Sequence, residues 1–221
     1  MNPARVQNTV ALWRTQLPAV KPFYAVKCNP EPQFLNCLFD SGVNFDCASE
    51  RELLSVKQLS RGSIRDRVVY ANPCKSRRDL RAAGELDAPT TVVDSVEEVE
   101  KLAEVGYKGG ALVRIAVDDT ASAMPFSTKF GCGVADVGKI TAAARALKVP
   151  LEGVSFHVGS GCGRGGAYSD AIRSAYETVL GLRAAGFSGA RPAMARPSTR
   201  RARITTSAIR QRAAASSPSM S

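Results

Sequence analysis

The sequence predicts an α/β fold, an incomplete TIM-type (β/α)8 barrel of about six βα units with a disordered basic C-terminal tail. Three observations predict it. Six short apolar runs, FYAVKCN, NFDCAS, VVYANP, TTVVDS, ALVRIAV and GVSFHVGS, recur along the chain. Each is followed by a segment whose apolar residues fall at helical spacing, the alternation of strands joined by crossover helices into a parallel sheet. The runs are short and apolar and so suit strands covered on both faces, as in a barrel or a doubly wound sheet. No GxGxxG follows the first run, which weakens the dinucleotide-binding form of the doubly wound sheet and leaves the barrel preferred. A complete barrel takes roughly 250 residues, more than the 221 present.

Each element has its own signal. MNPARVQNTVALWRTQLP reads as an amphipathic helix with Val6, Val10, Trp13 and Leu17 on one side. PEPQFLNCLFDSG, after the first strand, sets Phe34, Leu35 and Leu38 at helical spacing. SERELLSVKQLSRG follows the second, and Ser49 with Glu52 makes a capping box. SRRDLRAAGEL follows the third. SVEEVEKLAEVGY follows the fourth, with Val96, Val99, Leu102 and Val105 as an apolar stripe. DVGKITAAARALKV follows the fifth. SDAIRSAYETVLGLRAAG follows the sixth, with Ala171, Ala175, Val179 and Leu182 facing inward. Gly42, Gly106 and Gly186 stand where helices should stop. The pattern ends near Phe187. Residues 189–221 hold too few large apolar side chains to offset their ordering entropy and are expected to be disordered. The expected division is therefore a barrel over 1–188 and a tail over 189–221.

Composition narrows the function. The net charge is +10, but seven arginines and no acids fall in 189–221, which leaves +3 on residues 1–188. That balance does not suggest a nucleic-acid surface. The tail reads either as a basic nucleic-acid-binding arm or as a solvated end, and it lacks the aromatic residues that stack on bases. No apolar run reaches the roughly 18 residues of a membrane span, and the N-terminus lacks the apolar core of a secretory signal. The six cysteines form no CxxC pair, so no zinc site is expected, and a reduced intracellular setting is the plain reading.

The strand ends carry Lys27, Asp46, Asn72, Asp94, Arg114 and His157 with Ser160. In (β/α) enzymes these ends share one face, and sites are built there. Lys27 closes an apolar strand. Desolvation and nearby cations would lower its pKa and make its amine a nucleophile toward aldehydes, unless it simply reaches solvent. Asp46 is placed to pair with Lys27, or else to sit as a helix N-terminal acid. A buried Arg114 needs an acceptor, either a cofactor oxygen or a carboxylate of Asp94 or Asp46. His157, the only histidine, precedes Val158-Gly159-Ser160-Gly161, a turn whose N–H groups suit phosphate, although a lone strand histidine is commonly structural. Together the residues suggest a Schiff-base site for an anionic cofactor.

At this point the motifs PFYAVKCN, FDCAS, VVYANPCK, LVRIA, KFG and GVSFHVGSGC, in this order and spacing, resemble eukaryotic ornithine decarboxylases, members of the alanine-racemase-like class of pyridoxal-phosphate decarboxylases. The resemblance covers about residues 20–188. It implies a cytoplasmic, homodimeric enzyme of polyamine biosynthesis that converts L-ornithine to putrescine with pyridoxal 5′-phosphate and no metal. It assigns Lys27 as the covalent cofactor lysine and Asp46 as its neighbour. Arg114 would help hold the cofactor, His157 would stack on its ring and Ser160 would bind its phosphate. Lys27 and His157 would be the catalytic pair. The segment 77–100 resembles the one that binds antizyme in animal members. The rival reading is a non-catalytic, antizyme-binding protein of the antizyme-inhibitor kind, and a single-domain pyridoxal-phosphate-binding barrel is a third.

The chain departs from the family's pattern after Gly189. A seventh strand, a Gly-Gly-Gly phosphate loop, an acid for the pyridine nitrogen and an all-β domain with a Cys-Asp pair have no counterpart. Weak cofactor binding, little or no activity and, from open sheet edges, poor solubility are the expectations.

Overall fold

The computed structural model describes residues 2–60, 62–88, 90–125, 127–164, 166–192 and 202–205. The chain enters through α1 (Pro3–Gln16) and β1 (Val20–Ala25), which ends in a 3-10 turn at Val26–Cys28. Then follow α2 (Pro32–Asp40), β2 (Asn44–Cys47), α3 (Glu50–Leu59), β3 (Val68–Tyr70), α4 (Arg77–Glu85), β4 (Thr90–Val93), α5 (Val96–Glu104) and β5 (Gly110–Arg114). After β6 (Ser122–Met124) come α6 (Val134–Ala146), β7 (Leu151–Ser155), β8 (Ser160–Cys162), α7 (Ala167–Ala184), β9 (Arg191–Pro192) and β10 (Ala202–Thr205). One sheet runs β10-β1-β2-β3-β4-β5-β7-β9, and every neighbouring pair in it is parallel. β6 and β8 form a separate antiparallel ribbon.

The six expected strands and their following helices are all present, so the barrel reading of the sequence is borne out as a curled, incomplete sheet. Two additions came without sequence warning. The ribbon β6–β8 stands apart from the sheet's strand order, and β9 and β10 fall inside the segment expected to be disordered. β10 pairs with β1 from Val20↔Ala202 to Phe23↔Thr205 and so covers that edge. The rest of that segment, residues 193–201 and 206–221, lies outside the described residues.

The core is divided by the sheet. On the helix side, Val93, Val113 and Val154 pack with Val99, Leu102, Val179 and Leu182. Phe45, Cys47 and Val68 pack with Leu35, Leu53 and Val56. The inner side is a small cluster of Phe23, Val69, Val92 and Leu112. Because strand side chains alternate, Asp46 faces inward between Phe45 and Cys47. Arg114, two residues beyond Leu112, faces inward as well.

Helix ends follow local chemistry. Ser49 Oγ accepts from Glu52 N at 3.3 Å, but the Glu52 carboxylate reaches back to Ala48 N, at 2.8 Å, rather than to Ser49. A complete capping box stands at Ser76 and Asp79. Gly42, Gly106 and Gly186 take positive φ where α2, α5 and α7 stop, as expected. Lys148 does the same after α6, at φ 58°, with Val149 N closing on Ala144 O. A side chain in that conformation costs of order 1 kcal/mol. Lys148→Gly is therefore expected to stabilise the fold by about 0.5–1 kcal/mol in urea unfolding.

Candidate active site

The strand ends converge as the sequence predicts. Ala25 is in register with Asp46, and Lys27 lies one 3-10 step beyond Ala25, at the mouth of the sheet. Lys27 is exposed, and it has no ion-pair or hydrogen-bond partner among the described residues. Its charge acts on both Asp46 and His157. Lys27, Asp46 and His157 therefore share one electrostatic environment, although they come from three different strands.

Burial pushes the Asp46 carboxyl up from its ordinary 3.8 to about 7, against the pull of Lys27 and with a push from Glu52. Asp46 precedes α3 by four residues and does not cap it; the N-cap is Ser49. The raised pKa has a thermodynamic sign. The native state holds a proton that the unfolded chain has released between about pH 4 and 7, so this group's contribution to stability falls as pH rises through that window. Asp46→Asn is expected to raise the melting temperature of the ligand-free protein more at pH 8 than at pH 4.5. An equal gain at both pH values would show that Asp46 titrates normally.

His157 is held neutral. Burial first, then the charges of Arg114 and Lys27, lower its pKa to about 4. Gly159 N donates to its Nδ1 at 2.9 Å, which leaves the ring proton on Nε2. The following turn is tight. Gly159 has φ +78°, and a Cβ there would come within 2.4 Å of Ser122. Ser122 Oγ in turn donates to Val158 O at 2.5 Å. Ser160 is carried on β8, opposite Met124 of β6, and is flanked by Gly159 and Gly161, both at positive φ. The ribbon, and not the main sheet, therefore positions Ser160.

Arg114 stands in the field of three carboxylates. Burial lowers its pKa, and Asp94, Asp46 and Asp119 act on it in the opposite direction. None of them forms a direct ion pair with it among the described residues; the guanidinium instead lies over the Phe130 ring, 5.1 Å from its centroid. Asp94 is engaged elsewhere and accepts from Gly131 N at 2.9 Å. Gly131 is obligatory there, because at φ +98° a Cβ would meet Ala116 N at 2.8 Å. Asn72 is spent on its own loop and accepts from Cys74 N.

Sequence reasoning missed two groups on this face. Asp119 is buried, accepts from Ser127 N at 2.8 Å, and bears on Arg114 and His157. Ser155 is in register with Arg114 and two residues before His157. Its Oγ is buried with no hydrogen-bond partner among the described residues. Strand alternation in VSFHV was the signal that could have found it. A groove of about 720 Å³ opens elsewhere, between Val137, Thr141 and Arg145 of α6 and Ser174, Glu177 and Thr178 of α7, and contains none of these residues.

The donor set fits an anionic aromatic aldehyde. It offers an exposed amine, a guanidinium with no ion pair among the described residues, a neutral imidazole, a glycine-flanked serine and a buried hydroxyl with no hydrogen-bond partner among those residues. Among the described residues no cluster of His, Cys, Asp or Glu could hold a metal ion, and no helix is long and apolar enough to cross a membrane.

Comparison with known proteins agrees with this chemistry. Residues 3–190 match the family described as pyridoxal-dependent decarboxylase, pyridoxal binding domain. The chain is 43% identical to the ornithine decarboxylase of Candida albicans over 155 residues, which are 70% of this chain and 33% of that protein. The arginine decarboxylase of Paramecium bursaria Chlorella virus superposes with a TM-score of 0.80 at 32% identity, covering 86% of this chain and 51% of that one. The ornithine decarboxylase of Entamoeba histolytica superposes with a TM-score of 0.74 at 32% identity, covering 83% and 50%. The chain thus spans about a third of the length of the curated relatives it matches. Its sheet, its converging strand ends and its match over residues 3–190 make this chain a member of the pyridoxal-dependent decarboxylase family, carrying that family's pyridoxal-binding domain.

Proposed function

We propose that this chain is the cofactor-binding part of an ornithine decarboxylase, with pyridoxal 5′-phosphate held at the strand ends. The observation that carries the reading is the meeting of Lys27, Arg114 and His157 on one face, with neither cation spent on an ion pair among the described residues. When bound, the cofactor supplies an electron sink for the pair released as the bond from Cα to the carboxylate carbon breaks. Carbon dioxide leaves, a proton takes its place on Cα, and ornithine becomes putrescine.

The protein's own residues have distinct tasks. Lys27 Nζ is the amine that would hold the cofactor through its aldehyde carbon, the aldehyde oxygen leaving as water. Asp46, half-protonated near pH 7, holds or releases a proton beside that amine. His157 is neutral at that pH and would lie against the cofactor's ring without adding a charge. Ser160 offers its hydroxyl, and the glycine-flanked backbone offers N–H groups, to the phosphate. Arg114 places positive charge near an anionic oxygen of cofactor or substrate. L-ornithine as substrate, a second copy of the chain as partner, antizyme at 77–100 and a cytoplasmic setting complete the proposal. The five cofactor positions present, Lys27, Asp46, Arg114, His157 and Ser160, keep chemistry suited to the task, which favours descent from an enzyme over a non-catalytic relative.

Titration with pyridoxal phosphate tests the reading. A visible absorbance band is expected, and borohydride reduction should fix the cofactor's mass on the peptide that contains Lys27. L-ornithine is expected to change that band at lower concentration than L-lysine or L-arginine does. Absence of the band, or label on another lysine, would refute the proposal.

A further inference from the structure

We infer that Ser155 is a cofactor-directed residue whose hydroxyl is the hydrogen-bond partner of the polar edge of the pyridoxal ring. The inference rests on the pyridoxal phosphate reading above and extends it to a position that reading does not use. Three observations carry it. Val113 and Val154 are in register and both pack into the helix-side core, so Arg114 and Ser155, next in register, both face the inside of the sheet. Ser155 Oγ is buried there and bonds to no described residue. His157 follows two residues later, just past the end of β7.

A buried hydroxyl without a partner is costly to keep. Its neighbours in the fold do not explain it. Ile115 N donates to the Ser155 backbone carbonyl and leaves the side chain out. Arg114, directly beside it, points its guanidinium over Phe130. The hydroxyl therefore contributes nothing to holding the strands together, and alanine would fill the same place in the apolar inner layer. What its position offers is a donor and acceptor on the floor of the site, beneath the imidazole. With its aldehyde held by Lys27 and its phosphate by Ser160, a planar ring would have its remaining polar edge left for a donor such as this one. Ser155 meets that edge and fixes the in-plane rotation of the ring, so that the aldehyde faces Lys27. Its part is positioning the cofactor, and the chemical step belongs to other groups.

The test uses the whole chain with Ser155→Ala and Ser155→Cys, the second keeping the volume and losing the strong donor. Melting of the ligand-free proteins, and dissociation constants for pyridoxal phosphate and for inorganic phosphate alone, are measured. Both variants are expected to melt at or above the wild-type temperature without ligand. Their affinity for pyridoxal phosphate is expected to fall about five- to ten-fold, with affinity for inorganic phosphate unchanged. Ser160→Ala, by contrast, should weaken both ligands. A lower melting temperature of ligand-free Ser155→Ala would show a structural hydroxyl and overturn the inference. Unchanged affinity for pyridoxal phosphate, or an equal loss for inorganic phosphate, would overturn it as well. Wild-type protein that fails to take up pyridoxal phosphate would sink the functional reading itself and this inference with it, whereas equal uptake by wild type and variants sinks this inference alone.

Discussion

Glu98→Ala is expected to destabilise the fold by about 3–5 kcal/mol, measured by urea unfolding, because it strands a charge in the core. The Lys75 side chain is fully inaccessible, and its Nζ lies 3.2 Å from Glu98 Oε2, itself 5% accessible. Nζ also donates to the carbonyls of Asn72, Pro73 and Val92. Lys101 binds the other oxygen of Glu98 and reaches Lys75 O at 2.6 Å. Burial pulls the Lys75 pKa down and Glu98 pulls it back. Removing the carboxylate leaves an ammonium hydrogen-bonded to neutral carbonyls, with only the weaker pull of Asp94 opposing its charge. A loss of this size approaches the whole stability of a small domain, commonly 5–15 kcal/mol. Glu98→Gln keeps the shape and an acceptor but not the charge, and should lose most of the same amount. Wild-type stability in Glu98→Gln would show that Lys75 is already neutral in the fold. The damage should also reach the site, since Lys75 joins the loop after β3 to the end of β4 on the face where the functional residues meet.

Lys27→Ala is expected to abolish the covalent capture of pyridoxal phosphate, with no visible band and no reducible adduct at saturating cofactor. The fold should be untouched. Lys27 is exposed, makes no bond to a described residue, and follows a strand whose packing rests on Phe23 and Val26. Non-covalent affinity should persist in part through Ser160, Arg114 and His157, and ultrafiltration would detect it. Unchanged absorbance in Lys27→Ala would move the capture to another amine and require a different site. Because Lys27 is one of the charges that lower the His157 pKa, the variant should also raise the imidazole's pKa from about 4. NMR of the single histidine checks that independently.

Much of this was legible in the sequence because it depended on short-range pattern. Six strands and their helices follow from periods of two and 3.6, and buried positions such as Leu35, Val99, Leu102 and Val179 followed directly. The polar residue at each strand end was visible for the same reason. What could not be read depended on partners remote in sequence. Lys75 and Glu98 are 23 residues apart, and nothing local marks either as buried. β6 is three residues long and largely exposed, without alternation, so its pairing with β8 across 36 residues left no trace. Ser155 carries no mark in the sequence because a serine in a strand usually finds a partner, and only its surroundings show that it has none among the described residues.

The ribbon that carries Ser160 makes two distant loops mechanically one body. Ser122 grips Val158, Met124 lies across from Ser160, and Asp118 reaches Arg164 at 3.4 Å. A one-residue insertion between Asp118 and Met124 would displace the phosphate-facing serine as surely as an insertion beside it. Anyone remodelling this pocket by combinatorial mutagenesis should diversify both arms together, since a library confined to either stretch would sample mostly mismatched halves.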